Sequence, residues 1–324
     1  MAVLDIRRLK WMISRRGESV AESPISRPGR TLALIVQMVL CVSCGRRDVG
    51  NLRASHQLID DWESLPSAVR GRKLPLIERF RKNGKELVFL ATTHESNPAS
   101  ETFRMIREEL SRKDLELVIV EGVPTQLGLS NSIYLSQILP KPGKPHAWTG
   151  ENAYAAWNAH RRGIPFLGGE PSRREMQQAL VPVGITTRDL IYFFVVSNIL
   201  PLRRAGLSVN TGSDPYLERA LVDSRRGFHV TEPAALSVED FRKWYQEGHG
   251  KPFSLDAMTL QECAPYGRSS LRTNQISFRW EQFRNRHLLD LIARSFKQRR
   301  RVLVVFGGGH FLELRRALHK MFDG

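Results

Sequence analysis

Two histidines close two apolar runs in this chain. His94 follows Leu87-Val88-Phe89-Leu90-Ala91-Thr92-Thr93, and His310 follows Val302-Leu303-Val304-Val305-Phe306-Gly307-Gly308-Gly309. Each run reads as a buried strand that turns on small residues and presents an imidazole. Two carboxylates end comparable runs, Glu121 after Leu117-Val118-Ile119-Val120 and Glu170 after Phe166-Leu167-Gly168-Gly169. If the strands are parallel, all four side chains arrive at one rim, where open α/β sheets place their chemistry. Two imidazoles and two carboxylates there can hold a divalent ion or form a base positioned by an acid. The candidate metal set is therefore His94, Glu121, Glu170 and His310.

Arg284 joins them from a helical segment, in line with Trp280 and Leu288 on its apolar stripe. A cation on such a stripe needs a partner: Glu121, Glu170 or a substrate oxyanion. The alternative is an arginine whose stem covers the core while its head reaches water. With Arg284 included, the candidate catalytic set is His94, Glu121, Arg284 and His310. Gly307, Gly308 and Gly309 admit a separate reading as a cofactor-binding turn, backbone N–H groups cradling a phosphate ahead of a helix. They lack both the Lys-Ser/Thr of a P-loop and the dinucleotide-binding glycine spacing. Glu95 is either a rim ligand or a charge at the start of a helix. Ser96 and Ser100 lack the Gly-x-Ser-x-Gly elbow of serine hydrolases. Arg286 is expected to face solvent, and His160 and His287 to be surface or capping residues.

The elements that must position these groups follow from periodicity. Residues 86–92, 114–122, 164–171 and 301–306 read as strands, the first and last as continuous apolar runs covered on both faces. Asn97-Pro98-Ala99-Ser100 caps a helix carrying Phe103, Ile106 and Leu110 on one face. Further helices are expected over 151–162, 187–200, 214–224, 238–247 and 274–297. Pro165 puts its strand at a sheet edge or makes it the first strand position. Residues 123–150, rich in Pro and Gly, read as an irregular excursion over the mouth of the sheet. The sum is an α/β domain over 85–324, a central mixed, mainly parallel sheet flanked by helices.

The rest of the chain reads as address and linker: a disordered basic leader over 1–30, an apolar segment over 31–44, and a linker with a short helix over 45–84. Residues 31–44 follow a positive flank and end in small residues, which is signal-peptide logic. Cys41-Val42-Ser43-Cys44-Gly45 resembles a bacterial lipobox with Cys41 in the usual leucine position, implying a lipid-anchored protein of the cell envelope. The long leader would place the true start downstream, for example at Met12. A different secretory signal, or a buried helix of a cytoplasmic protein, are the other readings. Three cysteines among 324 residues are too few for a disulfide framework. The net charge of +16, with arginine well in excess of lysine, reads as the arginine usage of a GC-rich genome on an ordinary surface, or as a face for nucleic acid or anionic lipid headgroups; no zinc knuckle, aromatic RNA-binding motif or lysine-rich block supports nucleic acid as partner.

At this point the residues resemble a known group. Ala91-Thr92-Thr93-His94 with Glu95-Ser96-Asn97-Pro98, then Val120-Glu121-Gly122, Arg284-Asn285 and Gly307-Gly308-Gly309-His310 resemble, in order, the motifs of the TraB/Tiki-like family. That family belongs to the erythromycin-esterase/ChaN-like superfamily, and the resemblance covers roughly residues 85–320. Ala91 stands where the family usually has glycine, which keeps close approach if its φ is negative. The resemblance implies a hydrolase with its site between the two small-x-x-His loops, acting on a small molecule or peptide. Tiki-type members imply a divalent metal such as Mn, Co or Zn, esterase-type members a histidine base on water, and ChaN-type members bound haem. A non-catalytic haem- or metal-binding protein of the same fold is thus the first alternative, and a basic nucleic-acid binder the second.

Overall fold

The computed structural model describes residues 55–138, 150–204, 214–230, 236–254 and 257–323. The leader over 1–30 and the signal-like segment over 31–44 lie outside them. Five strands form one sheet: β1 (Leu76–Lys82), β2 (Lys85–Thr92), β3 (Leu117–Pro124), β4 (Phe166–Glu170) and β5 (Arg301–Gly307). The order is β1-β2-β5-β3-β4. β2, β5, β3 and β4 run parallel, and β1 pairs antiparallel with β2. This is an α/β fold with a mixed, mainly parallel sheet.

The apolar runs form strands because helices cover both faces of the sheet. Along β5, Val302, Val304 and Phe306 face one core while Leu303 and Val305 face the other. β2 divides in the same way, Leu87, Phe89 and Ala91 against Val88 and Leu90. Ten helices occur among the described residues. A single turn α1 (Ser67–Arg70) precedes the sheet. α2 (Glu101–Leu110), α3 (Ser132–Ile138) and α4 (Glu151–Arg161) lie on the face built from Leu303 and Val305. α5 (Arg173–Leu180), α6 (Thr187–Arg204), α7 (Asp214–Gly227) and α8 (Val238–His249) form a helical lobe with its own core around Tyr192, Phe241 and Tyr245. α9 (Arg272–Gln298) joins the two bodies: Ile276, Trp280 and Phe283 pack in the lobe, and Leu288 to Ile292 against the sheet. α10 (Gly308–Asp323) leaves β5 directly and covers the same face as the second half of α9.

Part of the segment read as linker belongs to the domain. β1 is an edge strand, and Leu58, Ile59, Trp62 and Leu65 pack on the core under α10. Its polar sequence, Leu-Ile-Glu-Arg-Phe-Arg-Lys, reflects a half-buried edge that uses charge against unwanted pairing. Asn83 and Gly84, at φ 52° and 73°, form the two-residue turn to β2, with Lys82 opposite Lys85. Asn-Gly is the strongest local hairpin signal because both positions need positive φ. The 123–150 excursion begins with a 3₁₀ turn (Thr125–Leu127) and α3, and residues 139–149 lie outside the described set. Pro165 precedes β4, which is the other sheet edge.

Candidate functional site

The carboxyl ends of β2, β5, β3 and β4 meet at one rim. Alternation along β3 puts Glu121 on the same face as Leu117 and Ile119, toward α9 and α10. Pairing between β3 and β4 is irregular from Val120 to Pro124, and Gly122 has φ 77°. This bulge lets Glu121 and Glu170 approach one guanidinium. Arg284 Nε donates to Glu170 Oε2 at 2.8 Å, a terminal nitrogen donates to Glu121 Oε1 at 3.0 Å, and the other to Glu281 Oε2 at 3.1 Å. Arg284 is therefore the hub of three carboxylates, with its side chain only 17% exposed. Burial works against its charge, but Glu170, Glu281 and Glu121 overcome this and raise its pKa.

His310 stands in the first turn of α10, buried beside Phe306. Its Nδ1 lies 2.7 Å from Asn285 Oδ1 and 3.0 Å from Glu281 Oε1, and its Nε2 3.6 Å from Glu121 Oε1. Every one of these partners is an acceptor, so both ring nitrogens carry protons. Burial opposes that charge, yet Glu281 and Glu121 hold the pKa up to about 10. Burial likewise disfavours ionised Glu281 and Glu121; His310 and Arg284 outweigh it and depress both, Glu281 to about 2. Asn285 is held in turn by Glu313, whose carboxyl accepts from its Nδ2. Burial and the nearby Glu281 push Glu313 up to about 8.

His94 is different in kind. Its side chain is 62% exposed, and Nδ1 lies 3.0 Å from Glu151 Oε1. Glu151, buried at the first position of α4, also accepts from Thr92 Oγ1 at 3.2 Å and from the Glu95 N–H at 3.2 Å. With this acceptor on Nδ1, the neutral ring keeps its lone pair on Nε2. The hydrogen bond to Glu151 raises the pKa of His94, with help from Glu121 and against burial and His310. Nε2 points across the end of β5: a Cβ on Gly307 would stand 3.3 Å from it and 3.1 Å from Glu121 Oε2. A side chain there would press on both groups, so Glu121 or His94 would have to give by a few tenths of an ångström. The Gly307 N–H donates to Glu121 Oε2 at 2.7 Å, so it seats an internal carboxylate instead of lining a phosphate cradle with Gly308 and Gly309. A Cβ on Gly308 would meet Leu74, while at Gly309 the space is open.

His94, Glu121, Glu170, Arg284 and His310 are thus brought to one rim. Glu151, Glu281, Asn285 and Glu313 complete the network. Glu281 lies one turn before Arg284 and Glu313 one turn after His310, so extending the inward stripes of α9 and α10 to acids finds them; Glu151 carries no such signal. Glu95 turns instead to Thr102 Oγ1, 2.9 Å away, and to Thr93. Arg286 and His160 are exposed, and His287 Nε2 meets Thr125 Oγ1 at 2.9 Å.

The donor set does not fit a divalent ion as folded. Arg284 occupies both oxygens of Glu170 and one of Glu121, Gly307 takes the other, and His310 has no free lone pair. Among the described residues no three His, Cys, Asp or Glu side chains converge as a ligand set, and no helix is long and apolar enough to cross a membrane. The arrangement can instead abstract a proton at His94 Nε2 beside a fixed, buried ion network. Compared with known proteins, the chain matches no family model, no curated protein and no solved structure.

Proposed function

We propose that the protein is a hydrolase of the TraB/Tiki-like type, secreted or lipid-anchored at the cell envelope, that cleaves an ester or amide with His94 as general base. The observation that carries this reading is the His94–Glu151 pair. A buried carboxylate orients an exposed imidazole whose free nitrogen overhangs the rim. Glu151 accepts from Nδ1–H and fixes the tautomer; Nε2 takes a proton from water as it attacks the carbonyl, and then returns that proton to the leaving alcohol or amine as the C–O or C–N bond breaks. Below the reacting group, Arg284 and His310 are matched by Glu121, Glu170 and Glu281, two cations against three carboxylates, a fixed ion network that forms the floor of the site. The two histidines are not equivalent: His94 exchanges a proton, and His310 stays an imidazolium.

The finer fold assignment, to the erythromycin-esterase/ChaN-like group, is supported by the order of the motifs on the elements. A small-x-x-His segment follows β2 and another follows β5, with an acid on β3 and Arg-Asn on α9. The test is a panel of chromogenic esters and amino-acid amides, with chelator present and absent. His94→Ala is expected to abolish turnover while leaving the thermal unfolding curve in place. Turnover retained by folded His94→Ala overturns the role of His94. Turnover that the chelator abolishes and Mn or Zn restores overturns the metal-free mechanism.

A further inference from the structure

The opposite rim of the sheet, where the parallel strands begin, has a different character. It is built from the turns at 79–86, 109–116, 160–163, 297–301 and 320–323. Together these hold thirteen Lys or Arg against five Asp or Glu, half of the chain's net charge of +16.

Part of this charge has structural work. α2, α4, α9 and α10 all end here, and helix carboxyl ends favour cations. Lys85 Nζ donates to the carbonyls of Phe296 and Lys297 at 2.9 and 2.7 Å, and Lys82 Nζ to that of Met321 at 3.0 Å. Arg79, Arg81, Arg112 and Arg301 gather around buried Glu86. Neither use accounts for Lys113, Arg162 and Arg300, which lie exposed on three separate turns. Glu109 also pairs with Arg79 and Arg112, and Asp114 with Arg301, so this cage is nearly neutral and the outward field rests on the exposed cations.

The shape of this surface decides what it fits. Strand starts and helix ends make a broad face of turn tips. Single-stranded nucleic acid is held on exposed aromatic platforms, and the aromatic residues of these turns, Phe80 and Phe322, are 2% and 3% exposed. A sheet of anionic headgroups needs only distributed positive charge. We propose that this rim docks on an anionic phospholipid bilayer, holding the opposite rim and its site away from the lipid. The inference does not depend on what the site catalyses.

The experiment is co-sedimentation of the full chain with vesicles of phosphatidylcholine alone and of phosphatidylcholine with phosphatidylglycerol, at low and high salt. The comparison variant is Lys113→Gln/Arg162→Gln/Arg300→Gln, checked for folding by circular dichroism. Residues 31–44 are common to both chains, so any contribution they make cancels. Partitioning is expected to favour the anionic vesicles, to fall with salt, and to drop about a hundredfold in the variant, at about fivefold per charge. Hydrolysis of a soluble substrate should be unchanged. Equal binding to both vesicle types, no binding to either, or a variant that binds like the parent overturns the proposal. So does rim-dependent binding of an RNA oligonucleotide in the absence of vesicle binding.

Discussion

Replacing Glu151 with Gln tests the proton-transfer mechanism at its most constrained point. Glu151 Oε1 faces His94 Nδ1 and Thr92 Oγ1, and Oε2 faces the Glu95 N–H. Glutamine is the same shape but has one oxygen. With that oxygen toward His94, the amide NH₂ confronts the Glu95 N–H, donor against donor. A buried unsatisfied donor costs about 1–3 kcal/mol, or roughly 2–4 °C in Tm per kcal/mol for a domain near this size. If the amide flips instead, its NH₂ faces Nδ1, and the imidazole proton moves to Nε2, where the base should be. Loss of the working tautomer costs about a hundred- to ten-thousandfold in kcat. The pH profile separates this from mere loosening. Glu151 raises the pKa of His94, and a protonated base is inactive, so kcat/KM falls on the acid side. In Glu151→Gln that acid limb must move to lower pH while kcat falls. The assay is initial rate against pH on the best ester of the panel, with Tm measured in parallel. An unmoved acid limb, or kcat within about threefold of the parent at a lowered Tm, refutes the pairing of Glu151 with a catalytic His94.

Two further outcomes follow from the ion network. Arg284→Met leaves Glu121, Glu170 and Glu281 without their shared cation and should cost about 3–5 kcal/mol in urea unfolding; a loss under 1 kcal/mol would show that the network is not held by Arg284. His310 has its folded pKa raised to about 10, above an unfolded value near 6.5, so its stabilisation is complete below about pH 6.5 and lost toward pH 10. Glu313, raised to about 8, acts in the same direction between about 4.5 and 8, and Glu281, depressed to about 2, gives stability that fades as pH falls from about 4.5 to 2. Tm should therefore be highest near pH 5, fall as pH rises from there toward 10 and fall again below about 4.5, and Glu313→Gln should flatten the change between pH 5 and 8; a Tm independent of pH from 6 to 10 contradicts these assignments.

What could be read from residue order was the part set by burial on two faces. β2, β3 and β5 announce themselves because parallel strands under helices are apolar without interruption. The groups at their ends, His94, Glu121 and His310, then share a rim by topology alone. β1 is concealed by its own position, since an edge strand with one wet side mixes Arg and Lys with Ile and Phe, and only Asn83-Gly84 betrays the hairpin. The pairing of His94 with Glu151 spans an irregular excursion, and no periodicity connects its two ends. A buried arginine was expected to seek one acid or a substrate; it finds three acids, because Glu281 sits one turn away on its own helix. That redirects Glu121 and Glu170 from ligands to counter-ions.

The strand order β1-β2-β5-β3-β4 also governs how the chain reaches this state. β2 and β3 are consecutive in the parallel part of the sheet, yet they never touch; the gap between them is filled by β5, more than 170 residues after β3 ends. Until β5 arrives, both carry an open edge of unpaired N–H and carbonyl groups, the template for pairing with the wrong chain. The joining contacts are of long sequence separation, which slows folding. The rim assembles in the same event, since β5 carries Gly307 and leads directly to His310. An incompletely synthesised chain therefore has no site to misuse, and the closing strand acts as the commitment step for both the sheet and its chemistry.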